Sequence, residues 1–170
     1  MSTRAAFVVW LGVGLCGTSS ALNACYRACS QVGCVDSEAL SFTEEIAKIS
    51  ETDISACREQ SCWHGHLAEG ALIADGRVDL TSDEPNSDWV NLQVDTLGVP
   101  LGKARVTITW VSPRHRSVKI GEVLSATFSD SAGDPILTRS GSVATFDEYY
   151  PNGKECDVTA CEVAKVDASD

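Results

Sequence analysis

The chain has 170 residues, which is enough for one domain with a substantial core. It carries 24 Asp and Glu residues against 13 Lys and Arg residues, a formal net charge of −11. This acidity argues against a nucleic-acid partner, because phosphates are bound by basic surfaces. It also argues against docking on anionic lipid through a polybasic patch.

The first 25 residues have the order of an export signal. Arg4 supplies a positive charge, Ala5–Cys16 form an apolar run, and residues 17–21 are small or polar. The run is shorter than the roughly 20 residues of a membrane-spanning helix, so the pattern predicts a signal peptide. We therefore expect three parts: a signal peptide at 1–24, a cysteine-bearing segment with a short helix at 25–62, and a β-sandwich domain at 63–170.

Two cleavage sites compete, one after Ala21 and one after Ala24. The sequence Leu22-Asn23-Ala24-Cys25 resembles a bacterial lipobox, although Asn23 departs from the usual small or β-branched residue. The resemblance implies that Cys25 is acylated and anchors the protein to a membrane facing an extracytoplasmic space. Cleavage after Ala21 would instead give a soluble secreted protein.

Cysteine parity favours the lipoprotein. The chain has eight cysteines, and cleavage after Ala21 would remove Cys16 and leave an odd number. Acylation of Cys25 leaves an even set at one repeated spacing: Cys29-x4-Cys34, Cys57-x4-Cys62 and Cys156-x4-Cys161. In an exported protein such cysteines predict disulfides, and pairing within each short loop is one of 15 connectivities. Structural zinc also uses this type of spacing, but an oxidising compartment disfavours it.

A short helix is predicted near residues 42–50. Ser41-Phe-Thr-Glu44 matches a capping box, and Phe42, Ile46 and Ile49 recur at helical spacing. Glu44 and Glu45 would then lie in the first turn, where the helix dipole favours negative charge.

From Trp63 onwards, short β runs alternate with turn residues. The Asp75-Gly76 and Asn152-Gly153 pairs each predict a hairpin between the runs that flank them. In the run at 104–111, alternation places Trp110 in the core. About eight such runs predict an antiparallel β-sandwich: His66–Ala74, Arg77–Ser82, Trp89–Thr96, Ala104–Val111, Val118–Phe128, Ile136–Thr138, Ser142–Tyr149 and Thr159–Val166.

Val118–Leu137 (VKIGEVLSATFSDSAGDPIL) resembles a strand–turn–strand of bacterial immunoglobulin-like domains. The chain as a whole resembles exported bacterial lipoproteins that join a Cys-x4-Cys segment to such a sandwich. The resemblance implies an immunoglobulin-like fold and implies no particular ligand.

Few residues suggest chemistry. His64 and His66 share one face of a strand and are candidate copper or zinc ligands, although no third ligand is evident nearby. Nucleophile, zinc-protease and phosphate-loop motifs are lacking, so no catalytic residue and no cofactor is predicted. Exposed aromatic residues on a sandwich can stack on sugars or on partner proteins. The alternation assigns Trp110 to the core and leaves Trp89, Tyr149 and Tyr150 unassigned.

These features favour a non-enzymatic, membrane-anchored protein of the bacterial cell envelope that displays a β-sandwich to a protein or glycan partner. Two alternatives stay open. One is a small extracellular hydrolase with paired carboxylates. The other is a copper- or zinc-binding protein that uses His64 and His66.

Overall fold

The computed structural model describes residues 35–68, 70, 76–82, 88–112, 118–154 and 160–168. None of the helices formed by these residues is long and apolar enough to cross a membrane. The described elements are ten strands and one short helix, in the order β1 (Asp36–Glu45), α1 (Ile46–Ile49), β2 (Thr52–Arg58), β3 (Ser61–Leu67), β4 (Arg77–Leu80), β5 (Trp89–Asp95), β6 (Lys103–Ser112), β7 (Val123–Ser129), β8 (Pro135–Ser142), β9 (Asp147–Tyr149) and β10 (Cys161–Asp167).

The strands form two sheets. One has six strands in the order β4-β5-β6-β1-β10-β9, and the other has four in the order β3-β2-β7-β8. The pairing of β1 with β10 is parallel, whereas β1 pairs with β6 antiparallel. The larger sheet is therefore mixed, and the prediction of a purely antiparallel sandwich is wrong at this one pair. The first and last described strands lie side by side and run in the same direction. Parallel neighbours need a long connection between them, so a local turn signal in the sequence cannot predict this pair.

Both sheets contribute to one hydrophobic core, as in a β-sandwich. On β6 the alternation predicted from the sequence holds, and Val106, Ile108 and Trp110 are fully buried. Across the two sheets, the rings of Phe42 on β1 and Phe128 on β7 meet edge to face, with centroids 6.1 Å apart. The mostly β, two-layer architecture predicted from the sequence is confirmed.

The predicted helix at 42–50 is wrong except for the single turn Ile46–Ile49. The residues of the supposed capping box belong to β1, where burial alternates: Leu40 and Phe42 face the core, and Thr43 is exposed. Apolar residues at 40 and 42 fit a strand period of two, and pairing with β6 along all of β1 outweighs the local capping pattern.

The first run of the hairpin predicted across Asp75-Gly76 lies mostly outside the described residues. In the described part, strand β4 pairs with β5 in the larger sheet, and Thr81, the residue after β4, forms an isolated bridge with His64 of β3. The second predicted hairpin is confirmed in part, because β9 and β10 are antiparallel neighbours.

The predicted boundary between residues 62 and 63 falls inside β3. Strands β1 and β2, which precede that boundary, are interior strands of the two sheets. The described part of the 25–62 segment therefore belongs to the sandwich itself. Residues 1–34, with the signal peptide and the lipobox, lie outside the described residues.

Ion pairs join the two sheets at both ends of β1. The inward-facing side chains of β1 are Asp36, Glu38, Leu40, Phe42 and Glu44, so an apolar centre is flanked by Glu38 on one side and Glu44 on the other. Glu44 accepts a hydrogen bond from Arg139 of β8 at 2.6 Å, and Glu38 accepts one from Arg58 of β2 at 3.3 Å. Each arginine belongs to the opposite sheet, so these pairs fix the sheets relative to each other at the margins of the core.

Candidate ligand-binding groove

A groove of about 500 Å³ lies at the edge of the larger sheet, beside the first residues of β5. Its described lining includes two tryptophans, Trp63 and Trp89, and several polar side chains, among them Arg77, Asp79 and Asn91. Trp89 is 70% exposed. A concave site with an exposed aromatic and convergent polar groups is typical of ligand binding. We call this feature the Trp89 groove.

The groove forms where β4 leaves β5. The β4–β5 ladder ends at the pair Leu80 and Val90, one residue before Trp89 would meet Thr81. Thr81 instead exchanges backbone hydrogen bonds with His64 of β3, at 2.7 and 2.9 Å. On its other side Trp89 is paired with Val111 of β6. The indole of Trp89 therefore lies on the outer face of the larger sheet, beside the point where β4 leaves the ladder.

A glycine on β3 makes this crossing possible. A Cβ atom on Gly65 would lie 2.6 Å from Cδ2 of Leu80, well inside van der Waals contact. Because Gly65 has no side chain, the end of β4 can approach β3 closely while Leu80 stays in the core.

Trp63 and Asp88 connect the groove to the interior. The indole nitrogen of Trp63 donates a hydrogen bond to the backbone oxygen of Asp88 at 3.1 Å. The carboxylate of Asp88 forms an ion pair with Arg58. The guanidinium of Arg58 lies 5.9 Å from the centroid of the Trp63 ring, within cation–π range. Asp88 is therefore held by the core although it borders the groove.

Arg58 is the centre of a buried ion cluster. Its side chain is 3% exposed and faces the carboxylates of Glu38, Glu122 and Asp88. It also donates a hydrogen bond to the hydroxyl of Ser112 at 3.3 Å. One buried cation with three carboxylates leaves excess negative charge in a medium of low polarity, which favours binding of a proton.

This environment raises the pKa of Glu38. Burial raises the pKa of Glu38 to about 7, the positive charge of Arg58 opposes the rise, and the charge and hydrogen bond of Glu122 add to it. Glu38 is thus a carboxylic acid at mildly acidic pH and ionises near neutrality.

The predicted histidine pair is on the protein surface. His66 lies 2.9 Å from Asp53 and 3.7 Å from Glu51, measured to the carboxylate oxygens. The hydrogen bond to Asp53, followed by the charges of Asp53 and Glu51, raises the pKa of His66. His64 and His66 share a second surface depression of about 610 Å³. Within the described ranges, no cluster of three His, Cys, Asp or Glu residues suits a metal ion, so the structure adds nothing in favour of the metal hypothesis.

The structure describes three of the cysteines that the sequence predicts to form disulfides. Cys57 and Cys62 form a disulfide across β2 and β3, as the spacing predicted. Cys161 is disulfide-bonded as well. The predicted sites Cys25, Cys29, Cys34 and Cys156 lie outside the described residues.

Paired carboxylates occur, but in the interior. Glu38 and Glu122 lie within hydrogen-bond contact of each other, and both side chains are almost fully buried beside Arg58. The two described carboxylates that line the Trp89 groove, Asp79 and Asp88, each have an arginine partner.

Sequence reasoning missed Arg58 and Asp88 entirely. A signal for Arg58 exists: Ile54, Ala56 and Arg58 alternate along β2, so the period places a charge on the core face. A charged side chain on the core face is stable only when opposite charges or hydrogen-bonding groups surround it. Asp88 has no comparable signal, because its role depends on a side chain 30 positions away.

A comparison with protein-family models, with curated proteins and with solved structures finds no significant match.

Proposed function

We propose that the protein is a non-enzymatic, membrane-anchored protein of the bacterial cell envelope, and that its sandwich is a binding module whose ligand occupies the Trp89 groove. The observation that carries this proposal is the exposed indole of Trp89, 70% accessible at the wall of a concave site. Exposed aromatic anchors in such sites supply much of the binding free energy in known recognition surfaces. The oriented polar side chains beside it would give specificity.

The location of the groove suits a ligand within the envelope. Residue 36 pairs with Ser112, and Trp89 pairs with the adjacent Val111, so the groove is near the end of the sheet at which β1 begins. If Cys25 is the acylated residue, the eleven positions from Cys25 to Asp36 span at most about 40 Å when extended. The anchor would hold the groove close to the membrane surface and to envelope components.

The sandwich is proposed to be of immunoglobulin-like type. Support comes from Val118–Leu137, whose described course is strand β7, a turn at Asp130–Asp134 and the start of strand β8. An experimentally determined structure with the full strand order tests this assignment.

Binding is tested with envelope fragments from the organism that produces the protein. The full-length purified protein should be retained by these fragments, and Trp89→Ala should lose most of the retention. Because Trp89 is exposed, the substitution should leave folding unchanged. Tyr149→Ala is the matched control, since Tyr149 is an exposed aromatic on β9, at the opposite edge of the same sheet. Equal retention of the Trp89→Ala variant would refute the proposed binding site.

The anchor is tested by intact mass of the native protein. A chain that begins at Cys25 and carries acyl groups is expected, and Cys25→Ser should release the protein into the soluble fraction. A mature chain beginning at Leu22 without lipid would refute the anchor and would favour the secreted alternative.

A further inference from the structure

We infer that the ligand of the Trp89 groove is a neutral saccharide, with one face of a pyranose ring stacked on the indole of Trp89. The inference rests on the proposed function, because it names the class of ligand for the same groove. Three features carry it: an exposed aromatic platform, polar groups of both kinds beside it, and charges that are already compensated.

The platform is rigid and accessible. Trp89 is the first residue of β5 and is held by pairing with Val111, while the β4–β5 ladder ends at Leu80 and Val90 and does not reach Trp89. The face of a pyranose ring is flat and rich in C–H groups, so it buries apolar area against an indole while its hydroxyls project sideways. Few other neutral, water-soluble ligands combine a flat apolar face with a polar rim.

The polar groups are within reach of such a rim. Asn91 is two residues after Trp89 and lies on the same face of β5, because side chains alternate along a strand. Its partner in register on β4 is Asp79, and Arg77 donates to Asp79 at 3.3 Å. Amide, carboxylate and guanidinium groups together offer donors and acceptors, which suits hydroxyls that both donate and accept.

The charges of the groove favour a neutral ligand. Asp79 is paired with Arg77, and Asp88 is paired with Arg58. A cationic ligand therefore meets carboxylates that already have partners. Nucleotides also stack on tryptophan, but their phosphates would approach a chain with a net charge of −11.

The aliphatic lining of the groove is largely held in the core. Peptide-binding sites bury aliphatic or aromatic side chains in apolar pockets. Of the aliphatic lining residues, Leu80 and Val90 are 6% and 2% exposed, and Val111 is half-buried. The exposed aromatic of the described lining is Trp89, with polar side chains around it, which suits stacking of a polar ligand better than insertion of an aliphatic side chain. A volume of about 500 Å³ is within the range of small-ligand sites.

The test uses a fixed panel of neutral trisaccharides: cellotriose, chitotriose, maltotriose, mannotriose and galactotriose. Binding of each to the full-length protein is measured at millimolar concentration by tryptophan fluorescence and by saturation-transfer NMR. We expect at least one to bind. Trp89→Ala should weaken it by ~10-fold or more and Trp89→Phe by ~3-fold or less, since a smaller aromatic ring keeps part of the platform. Asn91→Ala should also weaken binding, and Tyr149→Ala should leave it unchanged.

Two results would overturn the inference. One is the absence of binding across the panel, and the other is binding of equal strength to the Trp89→Ala variant. The envelope-retention assay separates this failure from that of the proposed function. If retention still depends on Trp89, and protease treatment of the fragments abolishes it while periodate oxidation of their glycans does not, the ligand is a protein. In that case the protein is still a binding module, and the saccharide assignment is wrong.

Discussion

Replacement of Glu38 by glutamine tests the buried ion cluster directly. The amide keeps nearly the same shape and still reaches Arg58, but it has no proton to lose. In the wild-type protein, burial raises the pKa of Glu38 to about 7, against an ordinary value of 4.5. Because the pKa is higher in the folded state than in the unfolded state, the folded protein binds more protons between these two values.

The sign and size of the effect follow from proton linkage. Folding is favoured by the protonated carboxyl below pH 4.5, and this contribution is lost as the pH rises through about 7. A rise from 4.5 to about 7 corresponds to roughly 3 kcal/mol in the free energy of unfolding. The wild type should therefore lose about 3 kcal/mol relative to the Glu38→Gln variant between pH 4.5 and pH 8.

Urea denaturation of both proteins at several pH values measures this difference, and comparing the two cancels the titration of groups outside the ion cluster. Glu45→Gln is the control, since Glu45 is on the same strand and its side chain is 53% exposed. The control should follow the wild type at every pH. If the wild type and Glu38→Gln keep a constant difference across the range, Glu38 does not titrate near neutrality and the account of the cluster is wrong.

Three further predictions concern other parts of the fold. Arg58→Met leaves buried carboxylates without their counter-charge, so it should lower the free energy of unfolding by roughly 3–5 kcal/mol. Urea denaturation measures this change, and an unchanged midpoint would refute a structural role for Arg58. Gly76 has a φ of 48°, and a Cβ atom there would collide with a carbonyl oxygen of β5. Gly76→Ala should therefore lower the free energy of unfolding by more than ~2 kcal/mol. Gly98 has a φ of 73°, but no atom lies within 4 Å of a Cβ placed there, so Gly98→Ala should lower the free energy of unfolding by about 1 kcal/mol. Equal melting temperatures for the Gly76→Ala and Gly98→Ala variants would contradict the steric explanation. Asp53→Asn should lower the raised pKa of His66 in an NMR titration, and a pKa that does not move would show that the hydrogen bond is not its cause.

The strands that the sequence predicts well are those whose signal is local. Residues 90, 92 and 94 of β5 and residues 106, 108 and 110 of β6 alternate with polar neighbours, and the same residues are buried in the structure. Alternation reports which side of a strand faces the core, so a single chain segment contains the information.

The region around β1 was mispredicted because two local signals conflict. Ser41 to Glu44 matches a capping box, while Leu40 and Phe42 match a strand. Pairing of β1 with β6 on one side and β10 on the other satisfies its backbone, and that choice depends on residues more than 60 positions away. A sequence window cannot weigh such contacts.

The sequence does not predict the candidate site. Its pattern leaves Trp89 unassigned, and no local signal indicates that Arg77 and Asp79 lie beside it. Their position follows from the pairing of β4 with β5, and the groove follows from the departure of β4 towards β3.

Local alternation of apolar and polar residues predicts the β character of the chain and the sidedness of its regular strands, because each depends on neighbours a few positions apart. The cysteine spacing predicts disulfides but leaves 15 connectivities open, and the Cys57–Cys62 pair is known from the structure. The partners of each strand depend on the tertiary structure. So do the three carboxylates around Arg58 and the position of Trp89 beside a groove. Those features arise from contacts between distant segments, where burial and charge compensation outweigh local preference.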